Sequence, residues 1–520
     1  MSRLLQETLL ATVSRHPEHT ALIADEVRMS YGEATNYACR LAHALRENGV
    51  RRGDRVAIFM ENTWQCALSI YGVLLAGGVF VAINPQTKRD KLAFILRDAD
   101  AVALLSEPHL AREFTAAADQ LPTLRIWCAA TGPLPPRTAS LDDMLVDMPH
   151  TPPPQSSISL DLAALIYTSG STGEPKGVMH SHQSMLFALR SLVEYLRLEQ
   201  SDRLLCVLPL TFDYGLYQLL MAVYIGATLV LERSFAYPAQ VFNVMAAERV
   251  TVFPGVPTIF AMLLAAHERQ ALCFDNVRRV TNTAAALPPS FNSRLREIFP
   301  RADIYRMYGL TECKRVSYLP PEQIGQKPES VGIAIPGTEV LVLDHAGLAV
   351  KPGEIGTLYV RGAHVMLGYW KQPEKTAHML KPGALPGERL LCTHDLFTVD
   401  ADGYLYFVGR TDDIIKSRGE KISPLEVETV LYGIDGIREA AVLGAPDPLL
   451  GQSVQAFVSV LDGSTLSEGH IKKLCAYKLE AFMVPKYVTF LPELPKSANG
   501  KTDKNALAAM LATLIPRIEP

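Results

Sequence analysis

The chain has 520 residues, a formal net charge of −4, 48% hydrophobic and 20% charged residues. That balance fits a folded globular protein with ample core and gives no broad electrostatic pull toward nucleic acid or an anionic membrane. The eight cysteines carry no Cys-X-X-Cys spacing, which argues against a disulfide framework or a zinc site and fits a reducing, cytoplasmic setting.

At the N-terminus Leu4, Leu5, Leu9, Leu10 and Val13 repeat at helical spacing, which predicts an amphipathic surface helix rather than an export signal. Short, continuously apolar runs follow: RVAIFM at 55–60, GGVFVAIN at 77–84, AVALLS at 101–106, ATLVLE at 227–232 and TVFPGV at 251–256. Alternating with helical patterns, they predict an α/β protein with mostly parallel sheets covered on both faces. The longest apolar stretches, 67–83 and 219–231, are broken by Gly77-Gly78 and Gly226 and do not predict a membrane span. HTPPPQSS at 150–157 reads as a linker before the strand LAALIYT at 162–168.

From about residue 330 the strands become short and glycine-punctuated, as in GTEVLVLD, GTLYVRG and GYLYFVGR, which predicts a small β-rich subdomain. A compact α+β pattern then runs to the end of the chain. The predicted division is a large domain over 1–411 and a small, mobile one over 412–520, with the boundary at Asp412.

The string YTSGSTGEPKG at 167–177 is a phosphate-handling loop by composition. Its glycines and hydroxyls let donors crowd around an anion, and Lys176 adds a mobile cation. It is not a Walker loop, because Glu174 and Pro175 separate the glycines from the lysine, and a proline disfavours helix at the residue before it. Further on, MYGLTE at 307–312 offers an aromatic ring, a close-approach glycine, a hydroxyl and a carboxylate suited to Mg2+. THD at 393–395 with GR at 409–410 offers a carboxylate and an arginine for ribose or phosphate. PKSANGK at 495–501 presents Lys501 at a loop tip.

In this order, and with MSYGE at 29–33 and LLAGGVFVAINP at 74–85, the four motifs resemble the adenylate-forming superfamily over nearly the whole chain. That superfamily comprises acyl-CoA synthetases, luciferases and peptide-synthetase adenylation domains. The resemblance implies an ATP- and Mg2+-dependent, AMP-forming acid–thiol ligase that passes through an acyl-adenylate. It implies that Thr168, Ser169, Gly170, Ser171, Thr172, Gly173 and Lys176 hold the β- and γ-phosphates. Tyr308 would stack on adenine, Thr311 would contact phosphate, Glu312 would hold Mg2+, and Asp395 with Arg410 would bind ribose. Lys501 would bridge the acid and the ribose side of ATP, Asp412 would be the hinge, and Gly419 would line the thiol channel. The chain departs from the pattern at His394, at Thr283 with Ala284, and at Phe212.

The acid pocket is expected to include Phe212, Asp213, Tyr217, Thr283 and Arg315. Within the superfamily the Phe212–Asp213 pair resembles that of the peptide-synthetase branch, whose Asp meets a substrate ammonium. A carboxylate beside an apolar pocket needs a cationic or donating partner, which favours an amino-acid substrate. The alternative is that Asp213 caps a helix starting at Tyr214, which suits a fatty or aryl acid and coenzyme A. By position Lys314 is expected to face outward and Arg315 to approach the pocket floor; the pair reads first as a solvated basic turn, and otherwise as balancing Asp213, binding a second acidic group of the substrate or pairing with an acidic carrier protein. The acceptor thiol is expected to be external: the phosphopantetheine of a separate acyl or peptidyl carrier protein in secondary metabolite biosynthesis, or coenzyme A.

Overall fold

A computed structural model describes residues 2–129, 133–169, 175–283, 287, 291–411, 413–417, 420–447, 450–497 and 501–514. The N-terminal pattern folds as the helix Leu5–Val13, with Leu4, Leu5 and Leu9 buried and Leu10 and Val13 packed against the core. It is docked by two long-range hydrogen bonds: Thr12 Oγ1 donates to the Val223 carbonyl at 2.8 Å, and Leu5 N–H donates to His182 Nδ1 at 3.3 Å. The string MSYGE is a helix start. Ser30 Oγ accepts from Glu33 N–H at 3.2 Å and Glu33 Oε2 accepts from Ser30 N–H at 2.8 Å, a capping box that opens the helix Tyr31–Glu47.

The apolar runs form strands. Arg55–Phe59, Val79–Ala82 and Ala101–Ser106 lie parallel in one sheet, which continues through Leu162–Ser169 to the antiparallel strand Pro175–Ser181. Thr228–Leu231, Arg203–Cys206, Val252–Gly255, Arg279–Asn282 and Asp303–Tyr308 run parallel in a second sheet. The reason for continuous rather than alternating apolarity is visible in Arg55–Phe59. Val56 and Ile58 enter a core shared with the second sheet, whereas Ala57 and Phe59 enter a separate core on the opposite face. Both faces of the strand are dry.

The segment 150–157 is tied down rather than free. Arg46 Nη2 donates to the Pro154 carbonyl at 2.8 Å and to Ser156 Oγ at 3.0 Å, and His43 Nε2 lies 3.0 Å from the Thr151 carbonyl. The glycine-punctuated strands Glu339–Leu343, Gly356–Arg361, Arg389–Val399 and Leu405–Arg410 form an antiparallel sheet with Leu380–Pro382. Beyond it, Ile437–Asp447 and Gly451–Val460 anchor a further sheet with its own core, to which Ile415, Val427, Val442, Val454 and Ile471 contribute. Among the described residues no helix is long and apolar enough to cross a membrane.

His182 gives the N-terminal docking a pH dependence. Burial pulls its imidazole down to about 4, so between roughly pH 6.5 and that value the unfolded chain binds a proton that the folded chain refuses. Stability therefore declines as pH falls through that window, by about 3 kcal/mol. His182→Gln keeps an acceptor for Leu5 N–H without the titration, so its melting temperature should fall less steeply than the wild type's from neutral to acid pH. Equal slopes in calorimetry would show that His182 is not the titrating contact.

Candidate active site

The phosphate-loop motif is carried by a hairpin. Leu162–Ser169 pairs antiparallel with Pro175–Ser181, placing Thr168 opposite Lys176 and Ser169 opposite Pro175. Pro175 opens a strand, in keeping with a loop that lacks a helix-capped cradle. The tip, with Gly170, Ser171, Thr172 and Gly173, lies outside the described residues. At its base Thr168 Oγ1 is buried with no hydrogen-bond partner among the described residues.

Lys176 does not point into open space. Its Nζ lies 3.2 Å from Glu312 Oε1, donates to Tyr369 OH at 2.7 Å, and sits 4.2 Å from the Tyr369 ring centroid. Tyr369 OH in turn donates to Glu312 Oε1 at 2.6 Å. Tyr369 arrives here because Gly368–Tyr369 pairs with Met179 and Val178 beside the loop. Burial and the Glu312 carboxylate push its phenol well above the ordinary range, so the hydroxyl stays a donor. Tyr369 carries no motif of its own, and its place in this trio was invisible in the sequence.

A second group forms at the end of the strand Asp303–Tyr308. Tyr308 OH donates to Asp395 Oδ2, and Arg410 Nε lies 3.2 Å from Asp395 Oδ1, across the antiparallel register that pairs Asp395 with Arg410. The Tyr308 ring packs edge-on to Phe397, with centroids 4.9 Å apart. Desolvation raises the Asp395 carboxyl above its usual range, against the downward pull of Arg410 and Tyr308. His394 occupies a left-handed conformation, φ 57°, that glycine takes more easily. Its carbonyl accepts from both Thr411 N–H, at 3.0 Å, and Thr411 Oγ1, at 2.8 Å.

Between these groups the turn 309–315 folds back sharply on itself. A Cβ on Gly309 would stand 2.5 Å from the Lys314 carbonyl oxygen and 2.9 Å from Arg315 Cα, so only glycine fits. Thr311 presents its carbonyl to His180 Nε2 at 2.8 Å. Lys314 is itself left-handed, φ 59°, and this turns its side chain inward.

The expectation that Lys314 faces solvent is therefore corrected. Lys314 is 2% exposed, and its Nζ donates to the Asp213 carbonyl at 2.8 Å and lies 3.4 Å from Asp213 Oδ2. It also sits 4.4 Å from the Tyr217 ring centroid. Asp213 is neither free nor a cap facing away. It is the first residue of the helix Asp213–Ile225, behind the buried Phe212, and is itself buried. Burial works against its charge, but Lys314, Arg315 and Lys501 together hold its carboxyl below the usual range. The ordinary reason for a carboxylate in an apolar wall is met by the chain's own lysine.

Arg315 is buried, with Nη1 donating to Thr283 Oγ1 at 2.8 Å and its guanidinium 4.9 Å from the Tyr214 ring centroid. From the C-terminal side, a bridge between Lys496 and Thr502 and a Ser497 N–H to Lys501 carbonyl bond of 2.7 Å close the loop that carries Lys501. The Lys501 ammonium feels Asp213, Arg410, Asp395 and Arg315, and desolvation lowers it from the ordinary lysine range. Asp412 and Gly419 lie outside the described residues. Two groups thus form from motifs far apart in the chain, Lys176 with Tyr369 and Glu312, and Tyr308 with Asp395 and Arg410, while Lys501 feels the charges of Asp213 and Asp395.

Family models agree with this reading. The model described as AMP-binding enzyme matches residues 9–370, and that described as AMP-binding enzyme C-terminal domain matches 426–501. The long-chain-fatty-acid–CoA ligase of Bacillus subtilis is 30% identical over 539 residues, covering 96% of this chain and 93% of that protein. Tyrocidine synthase 3 of Brevibacillus parabrevis is 31% identical over 510 residues, covering 98% of this chain but 8% of that protein. The crystal structure of the anthranilate CoA ligase AuaEII in complex with anthranoyl-AMP is 29% identical, with a TM-score of 0.91 and coverage of 99% of this chain and 100% of that one. The chain belongs to the AMP-binding enzyme family of the adenylate-forming superfamily, and it is an AMP-forming ligase.

Proposed function

We propose that this ligase activates a carboxylic acid that lacks an α-ammonium group and transfers the acyl group to coenzyme A. The observation that carries the choice is the Lys314–Asp213 contact, 3.4 Å between buried side chains, which occupies the carboxylate an amino acid would need. An arriving ammonium would meet Lys314 and Arg315 first. Relatives named as CoA ligases that match along 93% and 100% of their length support the same acceptor. A carrier-protein thiol and an amino-acid substrate are the outcomes that would count against it.

Each group then has a task. Thr168, Ser169, Gly170, Ser171, Thr172, Gly173 and Lys176 hold the β- and γ-phosphates of ATP, and Tyr308 stacks on adenine. Thr311 contacts phosphate, and Asp395 takes the ribose hydroxyls beside Arg410. Lys501 lies across from Asp213 and Asp395 and cancels the repulsion between the attacking carboxylate and the α-phosphate. Attack forms the acyl–phosphate bond and breaks the α–β phosphoanhydride, releasing pyrophosphate. The thiol sulfur then attacks the acyl carbon and expels AMP. Phe212, Tyr217, Thr283 and Arg315 shape the acid pocket, Asp412 is the hinge, and Gly419 lines the thiol channel.

Glu312 is the group that fits Mg2+. A single buried carboxylate beside a phosphate loop matches an ion that takes one or two carboxylates and fills the rest of its shell with phosphate and water. Bound there, Mg2+ would neutralise phosphate charge. In the nucleotide-free enzyme Lys176 supplies that charge instead, and Tyr369 aligns the two.

Tyr369 is accordingly a positioning residue. Tyr369→Phe removes a donor to a carboxylate and an acceptor from an ammonium, worth roughly 1.5–3 kcal/mol, so kcat/KM for ATP should fall by about 10- to 100-fold. The melting temperature should barely move, and unchanged ATP kinetics would remove Tyr369 from the site. The test of the reading as a whole is product analysis with ATP, Mg2+, coenzyme A and a panel of fatty, aryl and amino acids. An acyl-CoA thioester is the expected product; acyl transfer only to a phosphopantetheinylated carrier would overturn the choice of acceptor.

A further inference from the structure

Arg315 is a second cation in a pocket whose carboxylate is already taken. It is 2% exposed, and among the described residues it forms no ion pair. Nη1 is satisfied by Thr283 Oγ1 at 2.8 Å, whereas Nε is buried with no partner among the described residues. The other neighbours are aromatic: the Tyr214 ring lies 4.9 Å away, and the Tyr195 hydroxyl, which donates to Met307 Sδ at 2.9 Å, adjoins the guanidinium. Asp213, the nearby carboxylate, is engaged by Lys314.

A buried guanidinium without a counter-ion is costly unless something arriving later completes it. The surroundings select what that is. Thr283, Tyr214 and Asp213 come from the segments that wall the acid pocket, so the open Nε edge meets the acid and not the nucleotide. A cation is repelled by Arg315 and Lys314 together, and an apolar tail would leave Nε–H unpaired. A carboxylate offers two oxygens to a guanidinium edge and supplies the missing charge.

We propose that Arg315 recognises a second carboxylate on the acid, so that the preferred substrate of this ligase is a dicarboxylic acid. This rests on the acid-ligase reading above and narrows its substrate. One carboxylate lies under Lys501 and is adenylated. The other lies at the pocket floor on Arg315, oriented by the Thr283 hydroxyl that holds the guanidinium flat, and takes no part in the chemistry.

The test is ATP–pyrophosphate exchange by the wild-type enzyme across a length series of straight-chain and aryl acids. Each is offered both as the monocarboxylate and as the corresponding dicarboxylate. For the best length, kcat/KM should favour the dicarboxylate by roughly 10- to 100-fold, the range of one charge-assisted hydrogen-bonded contact, mostly through KM. Arg315→Met should collapse that ratio toward unity, and Arg315→Lys should restore part of it; a merely structural arginine would lower both members of each pair alike. If Arg315→Met does not fold, the wild-type ratio still decides. Equal or better use of monocarboxylates at every length overturns the inference while leaving the ligase reading intact. Exchange with no acid of either kind, or only with amino acids, would instead overturn the ligase reading's choice of substrate.

Discussion

Replacing Lys501 with alanine should lower acid-dependent ATP–pyrophosphate exchange by at least about 100- to 1000-fold, the usual loss when one preorganised charge is removed from a reacting anion. The expectation follows from where the ammonium sits. Its electrostatic neighbours are Asp213 at the proposed acid pocket and Asp395 with Arg410 at the proposed ribose site, so in the proposed reaction it would span the two substrates. Among the described residues no other cation combines those neighbours: Lys176 is held by Glu312 and Tyr369, and Lys314 by Asp213. The effect should be confined to adenylation. Thioester formation from a preformed acyl-adenylate and coenzyme A needs no attack on phosphate, and should fall far less. Equal losses in both halves would mean that Lys501 supports the fold of its loop and not the first step.

The second large effect is on stability. Lys314→Met should destabilise the protein by about 3–5 kcal/mol, because it leaves the Asp213 carboxylate buried and unpaired. Removing both charges together, Lys314→Met with Asp213→Asn, should cost much less than the single change, since no uncompensated charge remains. Chemical denaturation of the set measures the difference, and a double variant as unstable as Lys314→Met would show that the lysine acts through packing on Tyr217. The pH dependence has a definite sign. Lys314, Arg315 and Lys501 hold the Asp213 carboxyl low, so its share of stability is present above the unfolded value of roughly 3.9 and is lost as pH falls through the lower folded value. For Lys314 burial dominates and pulls the ammonium well below its ordinary range. The unfolded chain then binds more protons from there up to about 10.4, and stability rises with pH across that window.

These two lysines mark the boundary of what local sequence conveys. The expectation for Lys501 could be written from sequence because PKSANGK is a contiguous string of turn-forming residues before its lysine, and turn chemistry acts over a few residues. Lys314 could not be placed this way. As one of two successive basic residues it reads as a solvated turn, and its inward direction follows from a left-handed backbone at 314 and from the close approach that Gly309 permits. For Asp213 the physical premise held, that a buried carboxylate demands a cation, and of the partners the sequence offered the structure pairs it with Lys314, 101 positions away.

The amino-acid sequence by itself determined the α/β class, the strand positions and the family. Continuous apolar runs such as 55–59 must be buried on both faces, and the glycine- and hydroxyl-rich loop has few other uses. It also determined which side chains were available for nucleotide chemistry. Tertiary structure alone decided how they are paired: Tyr369 on Glu312 across 57 positions, Tyr308 on Asp395 across 87, Lys314 on Asp213, and Arg315 left without an ion pair among the described residues. The physical reason is that periodicity and turn propensity are set by neighbours within a few residues. Compensation of buried charge is set by whatever the sheets bring together, and the proposed acid specificity rests on that compensation.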